Sequence, residues 1–402
     1  MKQLCLGLAS VLWVIVGACG DDQRGIGGGD TAVTDTAQTD VADTAGGDTG
    51  GTAMLPNACS ESVACSGSKA CRSGVCVDDP PSAATATLTD PVDNTPTTDA
   101  PNLDCVDASL AAPVQTTTAR LYGAVARFGD GRKTTDMHVD VILASDFDPS
   151  ACESETGDEQ ITCYRAAGTV VGSATSTAPP TPDSLPASCS GHEDCPLGYQ
   201  CVETSSVVHE CKEQFGLFEV ADVPLDTPLI LRAYPEGAIT TRWHDTYVYN
   251  VVLGSDEVVD GAVQYDATIV SDGQWLLTPN TVSLPEIPAD HGAIGGRVRD
   301  CHTATRVSWP IAEVSIDTAR PSRKVVYFNN LEDDTVPLVD RATTNIIGRF
   351  AALDIAPGWN VIAGSARVGG AVVTVGAEEV YVVPNALAIV SWPGKRPYWR
   401  QH

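Results

Sequence analysis

The chain has 402 residues, of which 43% are hydrophobic, and a formal net charge of −28. Such acidity repels phosphate, so nucleic acid is excluded as a partner, and it rules out docking on anionic lipid through surface charge. It serves solubility and leaves the fold open.

The first predicted element is a targeting segment, residues 1–18, which stands outside the folded protein. Lys2 supplies a positive start, and Leu4 to Ala18 is apolar. That run is short of the about 20 residues that a membrane span needs. It ends in "VIVGACGDD", where small residues lead to Cys19 and the chain turns acidic. This ending resembles a bacterial lipoprotein signal, whose lipobox closes on a small residue followed by cysteine. The resemblance implies cleavage before Cys19 and acylation of Cys19, palmitate included, so that two or more chains hold the protein on a membrane. Val16 stands where that family most often has leucine. Gly20 follows the cysteine in place of aspartate, which by the same resemblance points to the outer membrane. Loss of Lys2 makes the mature chain more acidic still.

Residues 19–57 form a tether. "DT" and "TD" pairs recur among Gly, Thr and Ala, with almost no large apolar side chain. Such a segment cannot bury enough surface to offset the entropy of ordering it.

The sequence holds 14 cysteines. Cys5 leaves with the signal and Cys19 takes lipid, which leaves an even set in a chain routed to an oxidising compartment, where disulfides are the default. Cys59, Cys65, Cys71 and Cys76 form one cluster, residues 58–78. Cys189, Cys195, Cys201 and Cys211 form a second, residues 189–211. Both begin C-x5-C-x5-C, an internal repeat. Each is too short for a hydrophobic core, so cross-links must hold it. They resemble the small four-cysteine modules of myxobacterial surface lipoproteins. Two disulfides are expected per module, with three connectivities open in each. Structural zinc wants closer C-x2-4-C pairs, and neither cluster has one, so no metal is expected. Cys152 and Cys163 would close a small loop, and Cys105 would pair with Cys301.

Residues 79–119 are rich in Pro, Thr and Asp and read as linker. From Arg120 the pattern changes to alternating or β-branched runs such as "RLYGAVARF" and "HVDVILAS", the mark of half-buried strands. No segment shows a long, capped helical period. The pattern then repeats. Leu121–Val125 matches Ile294–Val298, and Val139–Ile142 matches Val314–Asp317. "GLFEVADVPLDTPLILRAY" matches "GRFAALDIAPGWNVIAGSA" as G-x-F-x-x-x-D-[VI], a Pro turn and an apolar strand. Gly216 and Gly348 would admit a turn or bulge. Phe218 and Phe350 would enter a core. Asp222 and Asp354 would bond their own backbone at the next turn, which Pro224 and Pro357 would shape. The strands after it, Leu229–Leu231 and Asn360–Ile362, would close the sheet.

This pattern resembles the carboxypeptidase regulatory-like domain, a transthyretin-like antiparallel β-sandwich. The resemblance implies an all-β protein with two tandem sandwiches, at 120–275 and 290–392, followed by a tail, 393–402. The first copy departs from the family at "LDTP" and is much longer between its glycines. The excess is explained if the second cysteine module sits in a surface loop.

The family's sandwiches are accessory modules, so the resemblance implies no enzyme and no cofactor. No histidine carries glutamate three residues on, and there is no H-E-x-x-H or G-x-S-x-G. Trp243, Trp275, Trp309, Trp359, Trp392 and the terminal "PGKRPYW" could bind sugars or partners, although core packing is the blander use. The expected function is that of a non-enzymatic cell-envelope lipoprotein for adhesion, scaffolding or ligand display. It would be held by its lipid and meet an envelope protein or glycan. Carbohydrate or nutrient capture is the alternative, followed by an enzyme with an unrecognised site.

Overall fold

A computed structural model describes residues 55–392, apart from 61, 91–93, 107–116, 130, 179–185, 187, 190–198, 206–207, 214, 236–242, 302–307 and 331–335. The expected signal, most of the expected tether and the expected tail lie outside the described residues.

The body is all-β. The first cysteine cluster folds as a hairpin of β1 (Lys69–Arg72) and β2 (Val75–Asp78). Ser73 and Gly74 turn it with φ of 46° and 83°, the paired positive φ of a two-residue hairpin loop that matches strand twist. Within the Pro/Thr segment, β3 (Thr87–Asp90) and β4 (Thr95–Pro96) form. The first repeat holds β5 (Thr118–Arg127), β6 (Met137–Leu143), helix α1 (Gly157–Ala166), β7 (Val170–Thr175), β8 (Tyr199–Ser205) and β9 (Val208–Glu213). It continues through β10 (Leu217–Pro224), β11 (Pro228–Pro235), β12 (Trp243–His244), β13 (Thr246–Val252), β14 (Ala262–Gln264), β15 (Ala267–Ser271) and helix α2 (Asp272–Thr281). The second repeat holds β16 (Gly292–Val298), β17 (Ile311–Ala312), β18 (Val314–Thr318), β19 (Ser322–Phe328) and β20 (Pro337–Leu338). It ends with β21 (Arg349–Ile355), β22 (Gly358–Val368), β23 (Ala371–Val382) and β24 (Leu387–Trp392).

The two ten-residue helices escape a search for alternation. α1 carries Asp158 and Glu159 in its first turn and Arg165 in its last, charges that complement the helix dipole. Ser271 caps α2 by accepting from the Gln274 amide. No helix among the described residues is long and apolar enough to cross a membrane.

The repeats share one strand plan. In the first, β5 lies between β10 (antiparallel) and β15 (parallel), while β11 lies between β6 and β13. In the second, β16 lies between β21 (antiparallel) and β24 (parallel), while β22 lies between β18 and β23. The correspondence reaches single residues. Gly123 faces Phe218 across one pair, and Gly296 faces Phe350 across the other. A Cβ on Gly123 would stand 2.0 Å from the carbonyl oxygen of Tyr265, and one on Gly296 2.0 Å from that of Val390. Glycine is required where the parallel neighbour's backbone comes this close.

The repeats are also fused. β13 pairs in parallel with β24, Thr246 opposite Leu387 and Val248 opposite Ile389. This joins them into a nine-stranded mixed sheet of order β20-β19-β21-β16-β24-β13-β11-β6-β7. The sheets are therefore mixed, where the family resemblance led us to expect antiparallel ones. The parallel pairs arise because the last strand of each repeat returns beside the first.

The nine-stranded sheet is the middle of three layers. Leu229, Leu231, Val248, Leu353, Leu387 and Ile389 face one core, shared with the sheet β10-β5-β15-β12 and its extra strand β14. Ile230, Tyr247, Phe350, Ala388, Val390 and Trp392 face the other, shared with β18-β22-β23. Covered on both faces, these strands read as near-continuous apolar runs. The strand after each Pro turn thus crosses to the opposite layer; it does not close the sheet it came from, because Gly358 and the turn before β11 redirect the chain. Phe218 and Phe350 are buried, and Phe350 stacks on the fully buried Trp392 at 5.3 Å.

Asp222 and Asp354 sit at φ of 55° and 57°, inside β10 and β21. The expected turn role does not hold for Asp354: its carboxylate accepts from His291 Nδ1 at 2.5 Å and from Arg323 at 3.3 Å. Aspartate is among the few side chains that tolerate this left-handed backbone. Residues 79–119 are more than a spacer, because β3 pairs with β17 and buries Leu88 completely.

Candidate functional site at the seam between the repeats

Two ion pairs lie on the first repeat's side of the seam. β6 and β11 place Asp140 opposite Arg232, both nearly fully buried. Arg232 Nε and Nη2 donate to Asp140 Oδ2 at 3.1 and 2.6 Å, and Nη1 donates to the Tyr164 carbonyl at 2.9 Å. The other carboxylate oxygen accepts from Ser173 at 2.6 Å and lies 3.0 Å from His138 Nε2. Burial alone would raise the Asp140 carboxyl; the hydrogen bonds from Ser173 and Arg232, with the guanidinium charge, outweigh it and hold it below its ordinary value. Every acceptor on Asp140 is thereby used, which is what makes a buried ion pair tolerable.

A second pair lies beside it. Arg165, in the last turn of α1, grips Asp245 through both carboxylate oxygens at 2.7 and 2.6 Å, the fork geometry of guanidinium and carboxylate. Its Cζ lies 4.5 Å over the Tyr234 ring. Burial first, then the Asp140 charge, pushes the Tyr234 hydroxyl up to about 12. Next to this pair, Tyr164, Trp243, His244, Pro384 and Asn385 line a cavity of about 50 Å³. His244 stacks on Trp275 at 4.5 Å and lies 3.0 Å from Asn385 Oδ1. The hydrogen bonds described for His138, His244 and His291 run to Asp140, Asn385 and Asp354. The two ion pairs tie α1, β6, β11 and the residue before β13 together.

The cysteines fall as follows. Cys59 is bonded to Cys71, Cys65 to Cys76, Cys105 to Cys301 and Cys152 to Cys163. Cys189 and Cys211 are buried and disulfide-bonded. Cys201 lies opposite Cys211 in the β8–β9 hairpin, as Cys71 lies opposite Cys76 in the β1–β2 hairpin. Cys195 and Cys19 lie outside the described residues. The sulfurs of Cys59, Cys65 and Cys76 come within 4.8 Å of one another, close enough for metal ligands, but all three are consumed in disulfides.

The first module is docked, not loose. Val75 and Val77 pack on Ala319, Ala363 and Ala377 of the outer sheet. Asn57 donates to the Thr318 carbonyl at 2.9 Å, Ser365 donates to the Asp78 carbonyl at 3.1 Å, and Lys69 pairs with Asp317. Docking also helps to cover β18, an edge strand whose outward amides are taken by side chains. Val314 donates to Thr344 Oγ1 at 3.0 Å and Ile316 to the Tyr327 hydroxyl at 2.9 Å, which blunts the edge against further strand pairing.

Of the tryptophans, Trp275 and Trp392 are buried, and Trp243, Trp309 and Trp359 are half-buried. The large hydrophobic side chains that are exposed among the described residues include Phe215, Ile161 and Val259 but no Trp or Tyr.

No protein-family model matches the sequence, and no curated protein matches it. Among solved structures, the chain is similar to GBS52, the minor pilin of Streptococcus agalactiae, at 11% identity and a TM-score of 0.17, over 71% of this chain and 99% of that one. It is also similar to the shaft pilin SpaA from Lactobacillus rhamnosus GG, at 8% identity and a TM-score of 0.16, over 68% of this chain and 98% of that one.

Proposed function

We propose that this is a non-enzymatic lipoprotein of the cell envelope. In this reading lipid on Cys19 anchors it, residues 19–57 hold it off the membrane, and the body acts as a stiff scaffold for adhesion or ligand display. The observation that supports it best is the fused middle sheet. Two repeats that could have been beads on a string are joined through β13 and β24, and Cys105–Cys301 fastens the lead-in segment to the second repeat. A body built this way transmits force or presents a fixed face. The buried ion pairs serve the same end, since they tie α1, β6 and β11 together. Carbohydrate capture is less well supported, because it needs an exposed aromatic platform.

The test has two arms. Metabolic labelling with a palmitate analogue should mark the wild-type chain, and Cys19→Ser should abolish the label and release the protein from the membrane fraction. A Cys19→Ser chain that stays membrane-bound would refute the anchor. A pull-down with the released chain on the native envelope should then retain a discrete protein or glycan partner, and recovery of nothing above a denatured control would count against scaffolding.

A further inference from the structure

One group at the seam has no use in the packing described so far. Glu378, on β23, is only 2% exposed, and its Oε2 has no hydrogen-bond partner. Facing it from the middle sheet is Asn250, whose Oδ1 and Nδ2 are both buried and both without a partner. Leaving such groups unpaired is unfavourable, and more so for a charge. The two line one cavity with Pro228, Ile230, Trp359 and Glu379, about 20 Å³ in volume and open at one side. That space holds one water-sized group.

The backbone is bent to make this site. Asn250 lies in β13 at φ 56°, where the β11–β13 register slips between Leu229 and Leu231. It is the extra residue of a β-bulge. Bulges re-aim side chains and recur beside binding sites. A non-glycine residue held in this region stores strain that the fold must offset.

The walls and the floor differ in chemistry. Pro228, Ile230 and the Trp359 ring are apolar. The floor offers a carboxylate and an amide oxygen, and Glu379 adds negative charge beside them. We propose that this cavity binds a primary alkylammonium group. The –NH3+ head fills the water-sized space and donates to Glu378 Oε2 and Asn250 Oδ1, and its methylene stem leaves through the open side past the half-buried Pro228 and Trp359. A divalent metal fits less well, because hard cations want six or more oxygen ligands and half of this lining is hydrocarbon. Burial, and then the like charge of Glu379, push the Glu378 carboxyl well above its ordinary value; a bound cation relieves both. The ammonium could come from a free amine or from a lysine side chain, and the probes separate the two.

The experiment is calorimetric titration of the full-length protein, with Trp fluorescence read in parallel. The probes are n-pentylammonium, Nα-acetyl-lysine methylamide and its Nε-acetylated form. We expect saturable one-to-one binding of n-pentylammonium and no binding of the Nε-acetylated compound. Binding of the lysine amide as tightly as the free amine assigns the site to lysine side chains, and binding of the free amine alone assigns it to small amines. Glu378→Gln, which keeps the volume, should weaken binding at least tenfold. Asn250→Gly, which suits the left-handed backbone and removes the carboxamide with its single methylene, should weaken it several-fold. Absence of saturable binding by either amine, or binding by both variants as tight as by wild type, would overturn the proposal. The outcome is independent of Cys19 and the anchor.

Discussion

At the centre of β6 and β11 the first repeat sets Asp140 against Arg232. At the matching place of β18 and β22 the second repeat sets Ser315 against Ser365. The strand plan is the same and the covering differs. In the first repeat this face meets α1, whose Tyr164 carbonyl accepts a hydrogen bond from Arg232. In the second it meets the docked cysteine module, where Ser365 donates to Asp78. A duplicated sandwich can therefore hold its framework while each copy adapts its outer face to what lies on it. The largest expected effect follows directly. Arg232→Met leaves Asp140 buried with only Ser173 and His138 beside it and should cost up to about 3–5 kcal/mol, whereas Arg232→Met with Asp140→Leu should be close to neutral. Ser365→Ala should cost only about 1 kcal/mol, the worth of one neutral hydrogen bond. Urea unfolding of the variants measures all three. The Asp140 carboxyl titrates lower when folded than when unfolded, so its contribution is complete above the unfolded value of about 3.9. It fades as pH falls through the folded value. Wild type should thus lose more stability than the double variant between neutral pH and about pH 3. Equal losses would mean that the pair is not the difference between the copies.

Much of this framework was legible in the sequence, and the reasons are local. Gly123 and Gly296, Phe218 and Phe350, and the Pro turns are read from short spacings that turn geometry and side-chain volume dictate. The seam was not legible. "TYVYNVV" and "LAIVSW" announce strands covered on both faces, yet nothing in either says that they pair with each other, because a strand edge carries the same backbone donors and acceptors everywhere. Leu88 was hidden inside a Pro/Thr stretch that reads as spacer, since one buried side chain hardly alters composition. Glu378 was missed for a related reason. In "VGAEEVYVV" two glutamates look like a polar turn of an alternating strand, and only the bulge at Asn250 in the other repeat makes one of them part of a cavity.

The cysteine modules sharpen the comparison next. Cys59–Cys71 and Cys65–Cys76 close loops of 12 and 11 residues, and each should stabilise the module by about 3 kcal/mol on the chain-entropy account. Loss of Cys65–Cys76 through paired Cys→Ser changes should unseat Val75 and Val77 and expose β18 to protease, while both cores keep their amide protection in hydrogen exchange. Collapse of the cores as well would show that the module is part of the framework and not a cover. The second module should repeat the first-to-third and second-to-fourth pattern, Cys189 with Cys201 and Cys195 with Cys211. Peptide mapping under non-reducing conditions decides this.

A smaller effect tests whether the framework is truly duplicated. Gly123→Ala and Gly296→Ala each place a methyl against a carbonyl oxygen of the parallel neighbour, and overpacking of this kind costs about 1–3 kcal/mol. The two losses should agree closely. A large loss at Gly296 and a small one at Gly123 would show that the fused middle sheet yields less than the outer one, and that fusion stiffens one copy more than its twin.

The smallest effect has opposite signs in the two copies. Asp222 and Asp354 hold the same left-handed backbone, which costs an L-residue roughly 1–2 kcal/mol. Glycine removes that cost and adds roughly 0.5–1 kcal/mol of unfolded-chain entropy. Asp222 is exposed, so Asp222→Gly should be neutral or raise stability by a few tenths of a kcal/mol. Asp354 is 10% exposed and bonded to His291 and Arg323. Half of the Arg323 side chain is in water, so that contact adds little; the His291 bond carries the difference. Asp354→Gly should therefore lower stability by roughly 1 kcal/mol, seen as a lower Tm against a raised or unchanged Tm for Asp222→Gly. Should both variants melt above wild type, the His291 contact contributes nothing, and the two aspartates are interchangeable backbone fittings.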